Sequence, residues 1–305
     1  MFHFLPGSET RPQRVLRAAA LLMLLALLGD GCNGSKPVAS GRRVEVGLDR
    51  HAWLGKGESK AVVWFLDGDA RLTCADGNTY SVDVRDRIYI FEGCGSIHVV
   101  MPDGYASDNE QMTAIAVHEA FHALVQLSTR SSMRLDATES ISLDMKELST
   151  GNTTRFFMNI ANALSVQDGG LSCNELQGMF LSLSSGERRY VVWGSYIEWP
   201  AEFYMSTSLG FDDAWYLQFR KGYSGWTDVD WKYVAGYFAM KRIDVGFGRE
   251  SWQTSYTNGQ HPLDALWSSL GCEGRLLPPS SLVKYSPGAF HPLSTLGESS
   301  QAARR

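Results

Sequence analysis

The sequence lacks several features that would assign it to a common class of protein. After residue 30 no apolar run is long enough for a membrane helix. No basic run exceeds two residues, and 28 Lys and Arg against 33 Asp and Glu give a net charge of −5, so we expect no nucleic-acid partner. The five cysteines include no CxxC pair, which argues against a thiolate metal site. The 305 residues, 44% hydrophobic and 20% charged, predict a globular protein with a real core.

The first 31 residues have the pattern of an export signal. Arg11, Arg14 and Arg17 precede an apolar run over residues 18–28, and small residues follow. A basic segment, a short apolar segment and small residues predict a cleavable signal peptide at 1–31; a short membrane anchor is the alternative.

Residues 28–32 read Leu-Gly-Asp-Gly-Cys and resemble the lipid-attachment box of bacterial lipoproteins. The resemblance implies that Cys32 carries the lipid, and that the lipid is the chain's sole contact with a membrane. It further implies anchoring to the cell envelope, at the bacterial outer membrane; a secreted or periplasmic protein is the alternative.

Four cysteines remain if Cys32 is lipidated, and an even number in an exported chain indicates disulfides. Four cysteines allow three pairings. We favour the most local one, Cys74 with Cys94 and Cys173 with Cys272, against the alternative of buried free thiols.

The pattern of apolar residues divides the chain into a strand-rich part and a helical part. Residues 32–50 are expected to be the lipidated cysteine and a tether, 51–276 the folded domain, and 277–305 an irregular tail. Within the domain, short β-branched runs predict strands over 51–105, and helical periodicity dominates 106–276, which together predict an α+β fold with N-terminal antiparallel strands. The expected strands are 61–65, 80–84, 87–91 and 97–101, and the expected helices are 109–129, 155–164, 174–183, 196–208, 213–221, 230–243 and 263–270.

One motif carries chemistry: residues 117–124 read VHEAFHAL, which contains HExxH. On a helix, His118 and His122 project from one face, one turn apart, at a spacing that suits one metal ion. Glu119 can then reach a water at the metal and act as general base. Uncharged neighbours on both sides favour a buried active-site helix; the alternative is two core or surface histidines on an amphipathic helix without a metal.

A catalytic zinc site needs a third protein ligand. Val125 and Ser128 occupy the places where the longer motif HExxHxxGxxH has Gly and His, so that solution is absent. Glu198 and Glu202 lie four residues apart and would share a helical face. One of them could bind the metal while the other orients a ligating histidine. Pro200 fits a helix that begins near Ile197, because N–H groups in the first turn have no partner within the helix.

With these residues the sequence resembles the gluzincin metallopeptidases, whose second helix often reads E-G-x-A-E/D-Y. Glu198, Ala201, Glu202 and Phe203 follow this pattern, and Trp199 departs from it. The resemblance implies a zincin-like catalytic domain over 51–276. His118, His122 and Glu198 would bind Zn²⁺, and Glu202 would support a histidine.

The resemblance also implies that a His or Tyr stabilises the oxyanion, and the sequence leaves four candidates open: Tyr196, Tyr233, Tyr237 and His261. We therefore expect a zinc metallopeptidase that acts on a peptide or protein substrate. The alternatives are a zinc hydrolase of other amides or esters, and a non-catalytic binding lipoprotein on the same scaffold.

Overall fold

The computed structural model describes residues 42–48, 59–73, 79–83, 89–93, 96–106, 108–126, 149–166, 170–224 and 228–277. The predicted signal peptide, the lipid site at Cys32, the Cys74–Cys94 bridge and all of the predicted tail except Leu277 lie outside these residues. Leu277 itself is buried, and its N–H donates to Asp264, so the packed part of the chain extends into the start of the predicted tail.

Four strands form a sheet in the order β1-β2-β6-β5, and two form a separate ribbon, β3-β4. The strands are β1 (Arg42–Leu48), β2 (Ser59–Leu66), β3 (Asp69–Thr73), β4 (Thr79–Asp83), β5 (Tyr89–Gly93) and β6 (Ser96–Pro102).

Two expectations about the strands were wrong. Residues 42–48 were assigned to the tether but form β1, which pairs antiparallel with β2 and buries Val46. The sheet is also not wholly antiparallel, because β2 and β6 run parallel, with Val63 opposite Val99. Pairing between strands so distant in sequence depends on the route of the connecting chain, which local patterns do not encode.

The rest of the described chain is helical, so the fold is mixed α+β, as predicted. The helices are α1 (Asn109–Phe121), α2 (Gly151–Ser165), α3 (Cys173–Ser182), α4 (Ser185–Ser208), α5 (Asp213–Ser224), α6 (Asp228–Phe247), α7 (Arg249–Thr257) and α8 (Pro262–Ser269). A π-helical segment, His122–Gln126, continues α1. Helix α7 and strand β3 were not predicted.

Helix α4 begins eleven residues before the expected start near Tyr196. The reason is a capping box: the Glu187 N–H donates to Ser184 Oγ at 3.3 Å, and Glu187 Oε2 accepts from the Ser184 N–H at 2.8 Å. This reciprocal pair satisfies two backbone donors at the helix start. Pro200 therefore lies in the interior of the helix and not in its first turn.

Helix α1 lies between the sheet and α4, and it packs against β1, β2 and α4. Its Ala116, Ala120 and Phe121 join the core with Val63 and Val99 on the facing side of the sheet. Helix α6 packs against α2, α4 and α8 on the other side of the helical layer. The two helices that were expected to build the site, α1 and α4, are thus adjacent in the centre of the molecule.

Cys173 and Cys272 form a disulfide with an S–S distance of 1.98 Å, which confirms the expected pair and ties the start of α3 to the segment after α8. Among the described residues, no helix is both long enough and apolar enough to cross a bilayer.

Candidate functional site

The HExxH motif lies at the end of α1, where the chain changes from α- to π-helix. Asp108 caps the helix by accepting from the Gln111 N–H at 2.8 Å. His118 belongs to α1 and His122 opens the π-helical segment. Both histidines are 6% exposed, and their rings meet edge to face with centroids 4.7 Å apart. Local helical geometry therefore brings the two imidazoles together, as the motif predicted.

Glu198 of α4 reaches the same point from the neighbouring helix. Its Oε2 lies 3.1 Å from His118 Nε2 and 3.5 Å from His122 Nε2. A tetrahedral ion with bonds of about 2.0–2.1 Å has its ligand atoms about 3.3 Å apart. The Glu198 oxygen thus lies from each of the two nitrogens at the spacing that a small tetrahedral cation requires.

A second set of potential ligands overlaps the first. His118, Glu119 and His122 offer ligand atoms within 4.8 Å of one another, and this largely buried group could bind a metal ion. Glu119 is more exposed than the histidines and borders an open cleft, whereas Glu198 is buried.

Lys232 of α6 holds the other oxygen of Glu198. Its Nζ donates to Glu198 Oε1 at 3.1 Å, and the ammonium lies 4.9 Å from the Trp193 ring centroid. Burial alone would raise the pKa of Glu198, but Lys232 and the two histidines outweigh it and hold the pKa well below the usual value. Glu198 is therefore ionised, with Oε1 occupied by Lys232 and Oε2 directed toward the histidines.

Glu202, one turn further along α4, is fully buried behind His118. Arg220 donates to both of its oxygens, and Tyr216 donates to Oε1 at 2.7 Å. Glu202 Oε2 lies 3.2 Å from His118 Nδ1, within ion-pair distance. Burial would raise the pKa of Glu202, yet Arg220 and His118 lower it to about 2. The sequence placed this residue in the role of supporting a histidine, and the structure brings it to that histidine.

The electrostatics favour positive charge between His118 and the two carboxylates. Burial would lower the pKa of His118, but Glu198 and Glu202 overcome burial and raise it to about 9. A divalent cation ligated by Nε2 would meet the same need for positive charge.

A cleft of about 90 Å³ opens beside His118. Its polar walls are His118, Glu119, Arg220 and Tyr233, and its apolar walls are Ala114, Ile115, Met205 and Phe219. The volume suits a few waters or a small substituent and is smaller than typical pockets for drug-sized ligands, which are about 300 Å³ or more. Glu119 can therefore meet solvent and a ligand beside His118.

The four oxyanion candidates are separated by their positions. His261 Nε2 donates to the Val192 carbonyl at 3.0 Å, its Nδ1 caps α8, and the ring packs on Tyr196, so both residues are structural. The Tyr237 hydroxyl donates to Asp213 at 2.8 Å. Tyr233 alone of the four borders the cleft, with its ring edge-on to His118 at 5.5 Å.

Sequence reasoning missed three polar residues of the site. No sequence pattern links Lys232 to Glu198 or Arg220 to Glu202, because each pair joins different helices. Gln126 could have been found, since it follows His122 by four residues and would share its helical face; its Oε1 lies 2.6 Å from His122 Nδ1.

The chain matches no protein-family model, no curated protein and no solved structure. Assignment of a function therefore depends on the geometry of the site itself.

Proposed function

We propose that this protein is a zinc-dependent metallopeptidase with a zincin-like arrangement of its site. The observation that carries the proposal is the convergence of Glu198 Oε2 with His118 Nε2 and His122 Nε2 at 3.1 and 3.5 Å. Two imidazole nitrogens and one carboxylate oxygen form a donor set that catalytic zinc uses in hydrolases, with a fourth position left for water or substrate. Fe(II) also accepts this donor set, so the metal must be identified by analysis.

When bound, zinc would polarise a substrate carbonyl and lower the pKa of a water molecule. Glu119 borders the cleft beside His118, and its carboxylate would take the proton of the attacking water and pass it to the leaving nitrogen. Glu119 is the residue that follows the first histidine on α1, so the helix presents base and imidazole to the same cleft.

Tyr233 would stabilise the oxyanion that forms on the substrate carbonyl. Burial raises the pKa of Tyr233 well above 10, and Glu198 raises it further, so the phenol keeps its proton at neutral pH. A protonated hydroxyl at the wall of the cleft can donate to an oxygen that gains negative charge.

Export and a lipid anchor at Cys32 belong to the same proposal. The Cys173–Cys272 disulfide supports it, because disulfides persist mainly in oxidising compartments. Cell fractionation followed by mass spectrometry of the N-terminal peptide tests it. We expect a membrane-bound protein with a lipid on Cys32, and a Cys32→Ser variant that is no longer retained in the membrane fraction.

Metal analysis and one substitution test the catalytic proposal. The purified protein should contain about one zinc per chain and should cleave a denatured protein such as casein. Glu119→Gln should retain the zinc and lose turnover by at least about 100-fold, because general acid–base catalysis contributes about 10²–10⁴. Glu250→Gln, an exposed helical glutamate on α7, is the matched control and should behave as the wild type.

Two results would count against this function. An unchanged turnover for Glu119→Gln would remove the mechanism. A zinc protein that hydrolyses small esters or amides, but not denatured protein, would be a non-peptidase hydrolase.

A further inference from the structure

Pro200 leaves a backbone carbonyl of α4 without its usual helical partner. In an α-helix the N–H of residue 200 would donate to the Tyr196 carbonyl, but proline has no N–H. The Tyr256 hydroxyl of α7 donates to the Tyr196 carbonyl at 3.1 Å. The single hydroxyl hydrogen of Tyr256 is thereby used, so its oxygen can only accept further hydrogen bonds.

The next carbonyl of α4 determines which way the Gln126 amide points. Gln126 Nε2 lies 2.6 Å from the Ile197 carbonyl oxygen and 3.0 Å from Tyr256 Oη. A carbonyl only accepts, and Tyr256 Oη accepts here, so the amide must present its two N–H bonds to them. The reversed amide would set two acceptor oxygens 2.6 Å apart.

The orientation of Gln126 in turn determines the tautomer of His122. Gln126 Oε1 faces His122 Nδ1 at 2.6 Å, and an amide oxygen only accepts. His122 must therefore carry its hydrogen on Nδ1. The lone pair of the neutral ring is then on Nε2, the nitrogen that lies 3.5 Å from Glu198 Oε2.

We propose that Gln126 is a positioning residue that holds His122 in the metal-binding Nδ1–H tautomer, with its own orientation imposed by the Ile197 carbonyl beside Pro200. The proposal rests on the proposed metal site, because the tautomer has a functional consequence only if Nε2 binds a metal. It gives the two histidines different supports: a carboxylate, Glu202, at His118 and an uncharged amide at His122.

One turn of α4 contributes to both histidine contacts. Glu198, on α4, belongs to the proposed metal ligands, and the backbone of the same turn orients Gln126. A single helical turn of α4 thus supplies one ligand directly and controls the tautomer of another through Gln126.

Gln126→Met is the main test, because methionine has a similar length but no amide. Zinc affinity, measured by chelator competition on the full chain, should fall about 10–100-fold, the effect typical of losing the partner of a ligating histidine. Long-range ¹H–¹⁵N spectra of the metal-free protein, at a pH where His122 is neutral, should show the Nδ1–H tautomer in the wild type and its loss in the variant. Gln177→Met, at an exposed site on α3, is the matched control.

Two further variants separate tautomer control from packing. Gln126→Glu keeps an acceptor for His122 but sets an acceptor oxygen where Nε2 meets the Ile197 carbonyl at 2.6 Å, so it should lower the urea midpoint more than Gln126→Met does. Tyr256→Phe removes the hydroxyl from Tyr196 and Gln126 but leaves Gln126 on His122. It should lower the urea midpoint while zinc affinity stays within about threefold of the wild type, a change well below that expected for losing a histidine partner.

The proposal is overturned if wild-type His122 carries its hydrogen on Nε2. It is equally overturned if folded Gln126→Met binds zinc like the wild type, or if Gln126→Glu is as stable as the wild type. A wild-type chain that binds no metal would instead contradict the proposed function, and the tautomer spectra would still report on Gln126.

Discussion

Glu198 Oε2 lies 3.1 Å from His118 Nε2, although 80 positions of the chain separate the two residues. The contact exists because α1 and α4 pack side by side in the centre of the protein. Lys232 on one oxygen and the histidines near the other give the carboxylate a defined orientation.

Replacing Glu198 should remove the metal. Glu198→Gln keeps the size of the side chain but loses the charge, and we expect zinc affinity to fall by at least about 100-fold, beyond the 10–100-fold typical of residues outside the ligand set. Chelator competition and elemental analysis measure the change. Glu187→Gln, a buried glutamate at the start of the same helix, serves as the control and should retain zinc. Full zinc content in Glu198→Gln would mean that another group, such as Glu119, completes the site.

Glu202→Gln should weaken both metal binding and the fold. The change leaves Arg220 buried without its carboxylate, and loss of one partner of a buried ion pair costs about 3–5 kcal/mol. Zinc affinity should fall about 10–100-fold, because His118 loses the charge at Nδ1. Urea unfolding and chelator competition measure the two effects.

An exposed ion pair provides the comparison for Glu202. Glu45 lies 3.6 Å from Arg43, with both side chains about half exposed. Glu45→Gln should change stability by less than about 1 kcal/mol. If Glu202→Gln were as mild as this variant, the Arg220–Glu202 pair would not be a structural requirement.

Gly236→Ala should destabilise the protein because α6 and α4 touch at this residue. A Cβ at position 236 would lie 3.0 Å from Trp199 Cα and 2.6 Å from Trp199 Cδ1, and backbone cannot move aside as a side chain can. Overpacking of this kind costs about 1–3 kcal/mol. Gly178→Ala, in the exposed interior of α3 with no atom within 4 Å of the new Cβ, should instead stabilise by about 0.5–1 kcal/mol. Thermal unfolding of both variants should show shifts of opposite sign.

Glu187 should make stability depend on pH in the acid range. Hydrogen bonds from Thr150, and then from Ser184, lower its pKa to about 2 from its ordinary value of 4.5. Between these values the unfolded chain binds a proton that the folded protein does not, so stability is full above about pH 4.5 and falls as the pH drops toward about 2.

Urea midpoints measured between pH 7 and pH 2.5 test this dependence. Glu187→Gln should lower the midpoint at pH 7, because it weakens the capping box, and should flatten the decline below pH 4.5. An equally steep decline in the variant would show that other carboxylates are responsible.

Much of the helical architecture could be predicted, because helices are specified by nearby residues. All seven predicted helices have counterparts in the structure, α1 to α6 and α8. The largest error in their bounds is at the start of α4. The capping signal Ser184-x-x-Glu187 in the sequence marks the observed start of this helix. Helix α7 and strand β3 were not predicted, and β1 lies within the predicted tether although Val44, Val46 and Leu48 alternate as in a half-buried strand.

The sequence alone determined the pair His118 and His122 with Glu119 beside them, because an HExxH helix places them by its own periodicity. It also indicated Glu198 and Glu202 as a matched pair on one face. Only the tertiary structure decided that Glu198 Oε2 meets the histidines, that Lys232 and Arg220 hold the two carboxylates, and that Tyr233 rather than His261 borders the cleft. These contacts join different helices, and their distances depend on how α1, α5 and α6 pack on α4, which no local spacing encodes.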